Sequence, residues 1–213
     1  MSLTRLTAAV ALIIAPVAAG ATALIDGSFE AKGAASAVSA YCYDGFSAGG
    51  NAPCAASPWH GSGVIHTGNS AWGRPMTPDG SYLSFVQGTQ SLSQSFTATS
   101  SSMLHATWLD ANRGNYGGIQ TYTVTVSEGA TTSVLGTYTS AVGGFVGRSS
   151  ANFAFVAGKK YALAFNGQAT GDSTAFVDKV ALVPEPRTWA MLLVGFGLIG
   201  VVQRRRSAKL AVA

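Results

Sequence analysis

The sequence predicts an all-β protein built as an antiparallel β-sandwich. Short runs of alternating apolar and polar residues recur along the chain, most clearly in residues 121–127. Turn formers separate these runs, as at Pro78-Asp79-Gly80. A long soluble helical pattern is missing from the sequence. Many short strands that each have one solvent-exposed face and are joined by Gly-rich turns are typical of two packed antiparallel sheets.

Nine segments carry the strand pattern, and each is short enough to cross one sheet. In chain order they are residues 63–66, 81–87, 92–96, 103–109, 121–127, 133–138, 152–156, 161–165 and 174–182. Trp108 shares a face with Leu104 and Ala106, so we expect it in the core. Residues 31–62 are rich in Gly, Ala and Ser and are predicted to form a long irregular loop region.

The N-terminus has the features of a signal peptide over residues 1–23. Arg5 supplies a positive start, Leu6 to Val17 are mostly apolar, and small residues precede Leu24. We expect cleavage before Leu24, which leaves residues 24–183 as one β-sandwich domain. This length is sufficient for a sizeable core.

The basic character of the chain lies in its two ends. The whole sequence has a formal net charge of +4, whereas residues 24–183 contain seven Lys or Arg and eight Asp or Glu, a net of −1. Nucleic-acid binding requires several positive charges on one surface to neutralise phosphates. The domain composition therefore argues against a nucleic-acid partner.

The two cysteines, Cys42 and Cys54, are predicted to form a disulfide, because an exported domain folds in an oxidising compartment. The chain-entropy model gives about 3 kcal/mol for closing a loop of this length. Two thiolates alone do not complete a tetrahedral zinc site, which needs four ligands.

The C-terminal segment, residues 184–206, has three consecutive parts. Pro184, Glu185 and Pro186 are predicted to form an extended, exposed linker, because proline fixes φ and disfavours helix in the residue before it. Residues 188–203 are predicted to form a hydrophobic transmembrane helix, with Trp189 at the membrane interface. Arg204, Arg205 and Arg206 then mark the cytoplasmic side, and residues 207–213 form a cytoplasmic tail. The apolar run is shorter than the roughly 20 residues that span a relaxed bilayer, which suits a transient signal.

This segment closely resembles the PEP-CTERM sorting signal of Gram-negative bacteria, in the variant Pro-Glu-Pro-x-x-Trp-Ala. The tripeptide, the Trp-Ala pair, the glycine-rich apolar run and the arginine cluster occur in that order. The resemblance implies export, an inner-membrane-anchored intermediate and processing near Pro-Glu-Pro by an exosortase-type enzyme. Its implied destination is the cell surface or the extracellular medium. The alternative is a plain single-pass anchor.

A second, weaker resemblance concerns the domain itself. Residues 26–30, residues 78–83 with 92–96, and residues 175–182 resemble segments of galactose-binding and carbohydrate-binding jelly rolls. The resemblance implies a jelly-roll sandwich that holds a structural Ca²⁺ between Glu30 and Asp178. Period 2 places Asp178 on the face of Phe176, Val180 and Leu182, and a carboxylate there is costly unless it is paired or coordinated. The alternative is that Asp178 accepts backbone N–H groups at a strand bulge.

Sugar binding requires exposed aromatic rings, with amides and charges to hold the hydroxyl groups. Loop positions predict such a site at residues drawn from three segments of the domain. The candidates are Trp59, Trp72, Asp110, Asn112, Arg113 and Tyr116. The alternative for the densest polar stretch, residues 110–116, is a solvated loop whose side chains cap turns.

These observations predict an exported, non-enzymatic surface or matrix protein whose sandwich binds a polysaccharide. One alternative is a structural matrix or envelope protein that has no defined ligand. Another is a secreted glycan-active enzyme or ester hydrolase. Gly45-Phe46-Ser47-Ala48-Gly49 matches the G-x-S-x-G nucleophile motif, but the strand–turn–helix context that this motif needs is missing from the sequence.

Overall fold

The computed structural model describes residues 24–33, 41–45, 53–73, 75–184 and 193–200. The predicted signal peptide lies outside these residues. A helical turn, α1, covers Glu30–Gly33, and a short 3-10 helix covers Ser70–Trp72. The described strands are β1 Tyr41–Tyr43, β2 Trp59–His60, β3 Gly63–His66, β4 Tyr82–Gln87, β5 Ser91–Thr97, β6 Ser102–Asn112, β7 Thr121–Glu128, β8 Thr131–Thr139, β9 Val146–Ser149, β10 Phe153–Phe155, β11 Lys160–Gly167 and β12 Thr174–Pro184.

The strands form two sheets in which every pairing is antiparallel. The seven-stranded sheet has the order β1-β3-β4-β12-β6-β10, and β9 also pairs with β6. The five-stranded sheet has the order β2-β5-β11-β7-β8. Neighbours such as β4 and β12 are far apart in sequence, so the sheet order depends on long-range pairing. The prediction of an all-β antiparallel sandwich is confirmed.

The main core lies between the two sheets and is rich in aromatic side chains. Trp108 is 2% exposed, and its ring centroid lies 5.3 Å from that of Phe165 on the facing sheet. Burying each such side chain contributes about 1.5–3 kcal/mol, so these contacts hold the sheets together. The prediction that Trp108 belongs to the core is confirmed.

The described part of the region 31–62 has more regular structure than the sequence predicted. Its described residues include most of α1 and all of β1 and β2. Lys32 is fully buried, and its Nζ donates to the carbonyl of Trp59 at 2.7 Å and to Asp44 Oδ1 at 2.9 Å. This buried cation links α1, β2 and the residue after β1, a long-range contact that composition does not reveal. A single irregular loop is therefore wrong for the described part of the region.

A bulge in β12 changes which residues face the core. The register against β6 shifts between Asp178 and Ala181, and Lys179 has a φ of 53°. The extra residue inverts the alternation. Phe176 therefore packs on the outer face of the seven-stranded sheet, whereas Val180 and Leu182 enter the main core. The prediction that these residues share one face was wrong.

The C-terminal segment is described only in part. Pro184 is the last residue of β12 and is half-buried, paired with Leu104, so it belongs to the sheet rather than to an exposed linker. Residues 193–200 are helical. No helix in the described part of the chain combines the length and the apolar character needed to cross a membrane. The sorting residues Glu185, Pro186, Trp189, Arg204, Arg205 and Arg206 lie outside the described residues.

Candidate functional site

The outer face of the seven-stranded sheet carries a second aromatic cluster. Alternation along β4 places Phe85 on this face, opposite the core-facing Val86. The 3-10 helix folds Trp72 onto the sheet, where its ring centroid is 4.6 Å from that of Phe85. Gly73 ends this helix with a φ of 81°, a left-handed conformation that suits glycine. Tyr43, on β1, packs edge-on against Phe85 at 5.5 Å.

Arg113 closes one end of this aromatic surface. Its backbone N–H donates to the carbonyl of Thr174 at 3.0 Å, which fixes it just after β6 and beside the start of β12. Its guanidinium carbon lies 4.2 Å from the Trp72 ring centroid and 5.4 Å from that of Tyr116. Contact with the faces of two aromatic rings stabilises a guanidinium by about 0.5–2 kcal/mol. Its N–H groups lie in the guanidinium plane and can still donate hydrogen bonds.

The N–H groups of Arg113 contact polar partners around the rings of Trp72 and Tyr116. Nη2 donates to the carbonyl of Ala71 at 2.9 Å, and Nε donates to Asn115 Oδ1 at 3.1 Å. Nη1 forms an ion pair with Asp172 Oδ2 at 3.4 Å. Arg113 is 9% exposed, so its guanidinium is fixed by these partners and largely shielded from water.

Asp172 extends the polar network across the sheet end to β4 and β1. Gln87 Nε2 donates to Asp172 Oδ1, and the Tyr43 hydroxyl donates to Gln87 Oε1 at 3.3 Å. Burial raises the pKa of Tyr43, and the charges of Tyr41 and Asp172 raise it further, while Arg113 lowers it. The tyrosine therefore stays a neutral hydroxyl donor.

We call this group the Arg113 cluster. Its members are Tyr43, Trp72, Gln87, Arg113, Asn115, Tyr116 and Asp172. Tyr116 is 61% exposed, so its ring offers an apolar surface to solvent beside amide, carboxylate and guanidinium groups. An exposed aromatic ring bordered by fixed polar groups is the combination that binds the faces and hydroxyl groups of sugars.

The structure brings together three of the six predicted site residues: Trp72, Arg113 and Tyr116. Trp72 is 3% exposed, so it supports the guanidinium and offers little surface to a ligand. Asn112 lies next to Arg113, but its side chain is used in hydrogen bonds within the domain. Its Oδ1 accepts from Ser140 Oγ at 2.9 Å, and its Nδ2 donates to the carbonyl of Arg113 at 3.0 Å.

Trp59 and Asp110 are fully buried, so predicting them as exposed binding residues was wrong. Trp59 Nε1 donates to the carbonyl of Asp26 at 2.9 Å inside the main core. Asp110 Oδ2 accepts from the Tyr122 hydroxyl at 2.8 Å, and its Oδ1 accepts from Arg148 Nε at 2.9 Å. Burial and the Asp110 charge raise the pKa of Tyr122 well above its usual value. These residues stabilise the sandwich.

Four members of the Arg113 cluster were not predicted from the sequence: Tyr43, Gln87, Asn115 and Asp172. Asn115 lay within the polar stretch 110–116, where proximity to Arg113 was an available signal. The other three come from separate elements, and only the sheet order brings them together. Gln87 is next to β12 because it pairs with Thr174.

The predicted calcium ligands, Glu30 and Asp178, accept backbone N–H groups. Glu30 Oε1 accepts from Ser81 and Tyr82, each at 2.8 Å. Asp178 Oδ2 accepts from Asp79 at 3.2 Å, and its Oδ1 accepts from Lys179 at 2.7 Å. This is the bulge-capping alternative. Among the described residues, no group of three or more His, Cys, Asp or Glu side chains is arranged to hold a metal ion. Calcium binding here stays a prediction.

Two further sequence features have different outcomes. Cys42 and Cys54 form a disulfide, which confirms that prediction. The backbone N–H of Cys54 also donates to the carbonyl of Tyr43 at 2.9 Å, so Cys54 lies beside a member of the Arg113 cluster. Ser47 and most of its G-x-S-x-G motif lie outside the described residues.

Several solved carbohydrate-binding modules are similar to this structure. A family 61 module in complex with β-1,4-galactotriose is 15% identical, with a TM-score of 0.43, and the match covers 61% of this chain and 90% of that one. The xylan-binding domain from Paenibacillus barcinonensis is 11% identical, covers 59% and 85%, and has a TM-score of 0.44. The C-terminal family 22 module of a Clostridium thermocellum xylanase is 9% identical, covers 75% and 92%, and has a TM-score of 0.45.

Sequence comparison gives one result for the whole chain and one for its C-terminal segment. No curated protein matches the chain. The C-terminal match begins within β12 and ends at Arg206, the last residue of the arginine cluster. Residues 182–206 match the PEP-CTERM protein-sorting motif, which indicates export through a sorting system with a membrane-anchored intermediate.

Proposed function

We propose that this protein is an exported, non-enzymatic carbohydrate-binding sandwich that holds a polysaccharide at the Arg113 cluster. The exposed ring of Tyr116, fixed beside Arg113 and Asp172, is the observation that carries this proposal. Tyr116 would stack on the apolar face of a pyranose ring. The Asp172 side chain is 34% exposed and would accept hydrogen bonds from sugar hydroxyl groups.

The hydrogen bonds inside the cluster support binding by preorganisation. Arg113 is fixed by Ala71, Asn115 and Asp172 before any ligand arrives. Fewer side-chain rotations are then lost on binding, and each such loss costs roughly 0.5–1.5 kcal/mol. This preorganisation therefore lowers the entropic cost of binding a polysaccharide chain at the Arg113 cluster.

The sorting motif supports the cellular part of the proposal. The protein would be held in the inner membrane by its C-terminal segment, processed near Pro184-Glu185-Pro186 by an exosortase-type enzyme, and delivered to the cell surface or the extracellular matrix. The net charge of −1 on residues 24–183 supports a polysaccharide partner rather than a nucleic acid.

A glycan array probed with residues 24–184 tests the binding proposal. Tyr116→Ala should weaken binding roughly tenfold or more, because about 1.4 kcal/mol of stacking corresponds to a factor of ten. Arg113→Lys should also weaken it, since lysine keeps the charge but loses the planar fork. Val134→Ala is the matched control, because Val134 is 65% exposed on β8 of the other sheet. It should bind as the unaltered protein does.

The alternatives predict different outcomes in the same experiments. Failure to retain any glycan would favour a structural matrix protein that has no defined ligand. Turnover of a glycan or ester panel that disappears in Ser47→Ala would overturn the non-enzymatic assignment.

A further inference from the structure

The sandwich has two ends, and β12 runs from one to the other. Thr174, at its start, accepts a hydrogen bond from the backbone of Arg113. Pro184, at its finish, pairs with Leu104 near the start of β6. Ten residue steps separate the two positions, which corresponds to about 33 Å in an extended strand. The Arg113 cluster and the departure point of the C-terminal segment therefore lie at opposite ends of the domain.

Other strands identify the surface around Pro184, which we call the tail-exit end. Phe155, the last residue of β10, pairs with Ser102, the first residue of β6. Val156 follows it and is 45% exposed. The turn continues to Lys159, whose backbone N–H donates to the carbonyl of Val156 at 3.2 Å and whose Nζ pairs with Glu128. Lys160, also exposed, begins β11.

The length of the connection limits how far this end can be from a membrane. Only four residue steps separate Pro184 from Thr188, where the predicted apolar segment begins. Four steps of chain span at most about 14 Å even when fully extended. This distance is less than half the length of β12, so the tether holds the tail-exit end close to the predicted apolar segment, whereas it places no such limit on the Arg113 cluster.

We propose that the tail-exit end is a membrane-facing surface in the anchored intermediate, with the Arg113 cluster directed away from the bilayer. The inference rests on the membrane-held stage of the proposed function. The partner is a lipid headgroup surface. Lys160 fits its phosphates, and the half-exposed side chain of Val156 fits the interfacial region. The site for a polysaccharide is then open before the protein is released.

Fluorescence quenching in vesicles tests this orientation with the full chain. The protein is inserted into vesicles of phosphatidylethanolamine and phosphatidylglycerol that carry a nitroxide on the headgroup. Val156→Cys and Val142→Cys each receive one fluorophore. They are a matched pair: both valines are exposed, at 45% and 73%, and Val142 follows Ala141, whose carbonyl accepts from Asn112 at the site end.

We expect the label at position 156 to lose most of its fluorescence and the label at position 142 to keep most of it. Equal quenching at both positions, or stronger quenching at 142, would overturn the proposal. Lys160→Cys and Ile119→Cys repeat the comparison at the same two ends if a valine variant misfolds, because Ile119 is 52% exposed in the β6–β7 connection. Quenching is measured without glycan, so a failure of sugar binding leaves the result intact.

Discussion

Asp178 is the described carboxylate whose surroundings most oppose its charge. Its pKa is raised to about 7 from a usual value of 3.8, chiefly by burial. The nearby charges of Asp79 and Glu30 also raise the pKa, while hydrogen bonds from two backbone N–H groups lower it. The folded protein therefore holds a proton on Asp178 at mildly acidic pH, whereas the unfolded chain releases it. Protonation favours the folded state, so this residue makes stability depend on pH.

The expected pH dependence follows from the raised pKa. The contribution of Asp178 to the free energy of unfolding should fall as the pH rises from about 4 to about 7, then stay level. Asp178→Asn should remove this slope, a relative change of up to about 4 kcal/mol over the interval. Urea unfolding at a series of pH values measures it, with Glu128→Gln on the surface as the control. A variant with the unaltered slope would contradict the assignment.

The same series tests calcium. An ion held by Glu30 and Asp178 would neutralise both carboxylates, so added calcium should abolish the slope and raise the melting temperature. A chelator should reverse both effects. If the melting temperature is the same with calcium and with chelator, these residues serve only as acceptors of backbone N–H groups.

The ion pair between buried Asp110 and partly exposed Arg148 is a second determinant of stability. Asp110 is fully buried, and Arg148 also donates from Nη2 to the carbonyl of Thr139 at 2.7 Å, which joins β6, β8 and β9. Arg148→Met should lower the free energy of unfolding by about 3 kcal/mol, because it leaves a buried carboxylate without its cation. Denaturant titration measures the loss.

Two further variants decide whether charge is the cause. Adding Asp110→Asn to Arg148→Met should recover part of the loss, since the unpaired charge is gone. Lys159→Met, which breaks the exposed pair with Glu128, should cost far less. A double variant no more stable than Arg148→Met alone would assign the loss to packing of the arginine stem.

At the scale of elements, strands with clean alternation could be predicted from the sequence, and irregular ones could not. Residues 121–127 and 161–165 became β7 and β11 with small changes at their ends. β9, by contrast, contains Gly147 and Arg148 and is mostly exposed, so it has no apolar face to recognise. β2 is two residues long and exists because Trp59 pairs with Gln94, a contact distant in sequence.

The candidate site could be predicted only in part, because its residues come from local turns and from distant strands. Arg113 and Tyr116 were candidates because charged and aromatic residues near turns suggest a ligand surface. Trp72 was predicted as an exposed ring for the same reason, but it is 3% exposed. Asp172 and Gln87 could not, since their proximity depends on β4 lying beside β12. Sequence patterns report local periodicity, whereas the site is assembled by sheet order.

The β12 bulge is an element whose cost can be measured. Lys179 is exposed and has a φ of 53°, a conformation that costs an ordinary residue about 1–2 kcal/mol. Lys179→Gly removes this cost. It also stabilises the unfolded chain by about 0.5–1 kcal/mol, because glycine has more conformational freedom there. The net effect should be a stabilisation of about 0.5–1 kcal/mol in denaturant titration. Lys160→Gly, in the regular part of β11, should destabilise instead. If both variants destabilise, the bulge is not strained at Lys179.

At the scale of the whole molecule, the described core of the sandwich is formed without residues 193–200. Helical residues 193–200 expose apolar side chains, with Leu193 at 70% and Leu198 at 63%, so this helix adds nothing to the described core. The last described pairing of the sheet is that of Pro184 with Leu104. Processing next to Pro184 would therefore leave every described strand intact.

Truncation at two positions tests whether the sandwich folds without the C-terminal segment. A protein that ends at Pro184 should keep the melting temperature of the full chain in detergent, to within about 2 °C, because no described core contact is lost. A protein that ends at Val177 should fail to fold, since it loses the buried Val180 and Leu182 and the remaining pairing with β6. A large drop for the first protein would show that the C-terminal segment packs against the sandwich. Processing would then destabilise the protein that it releases.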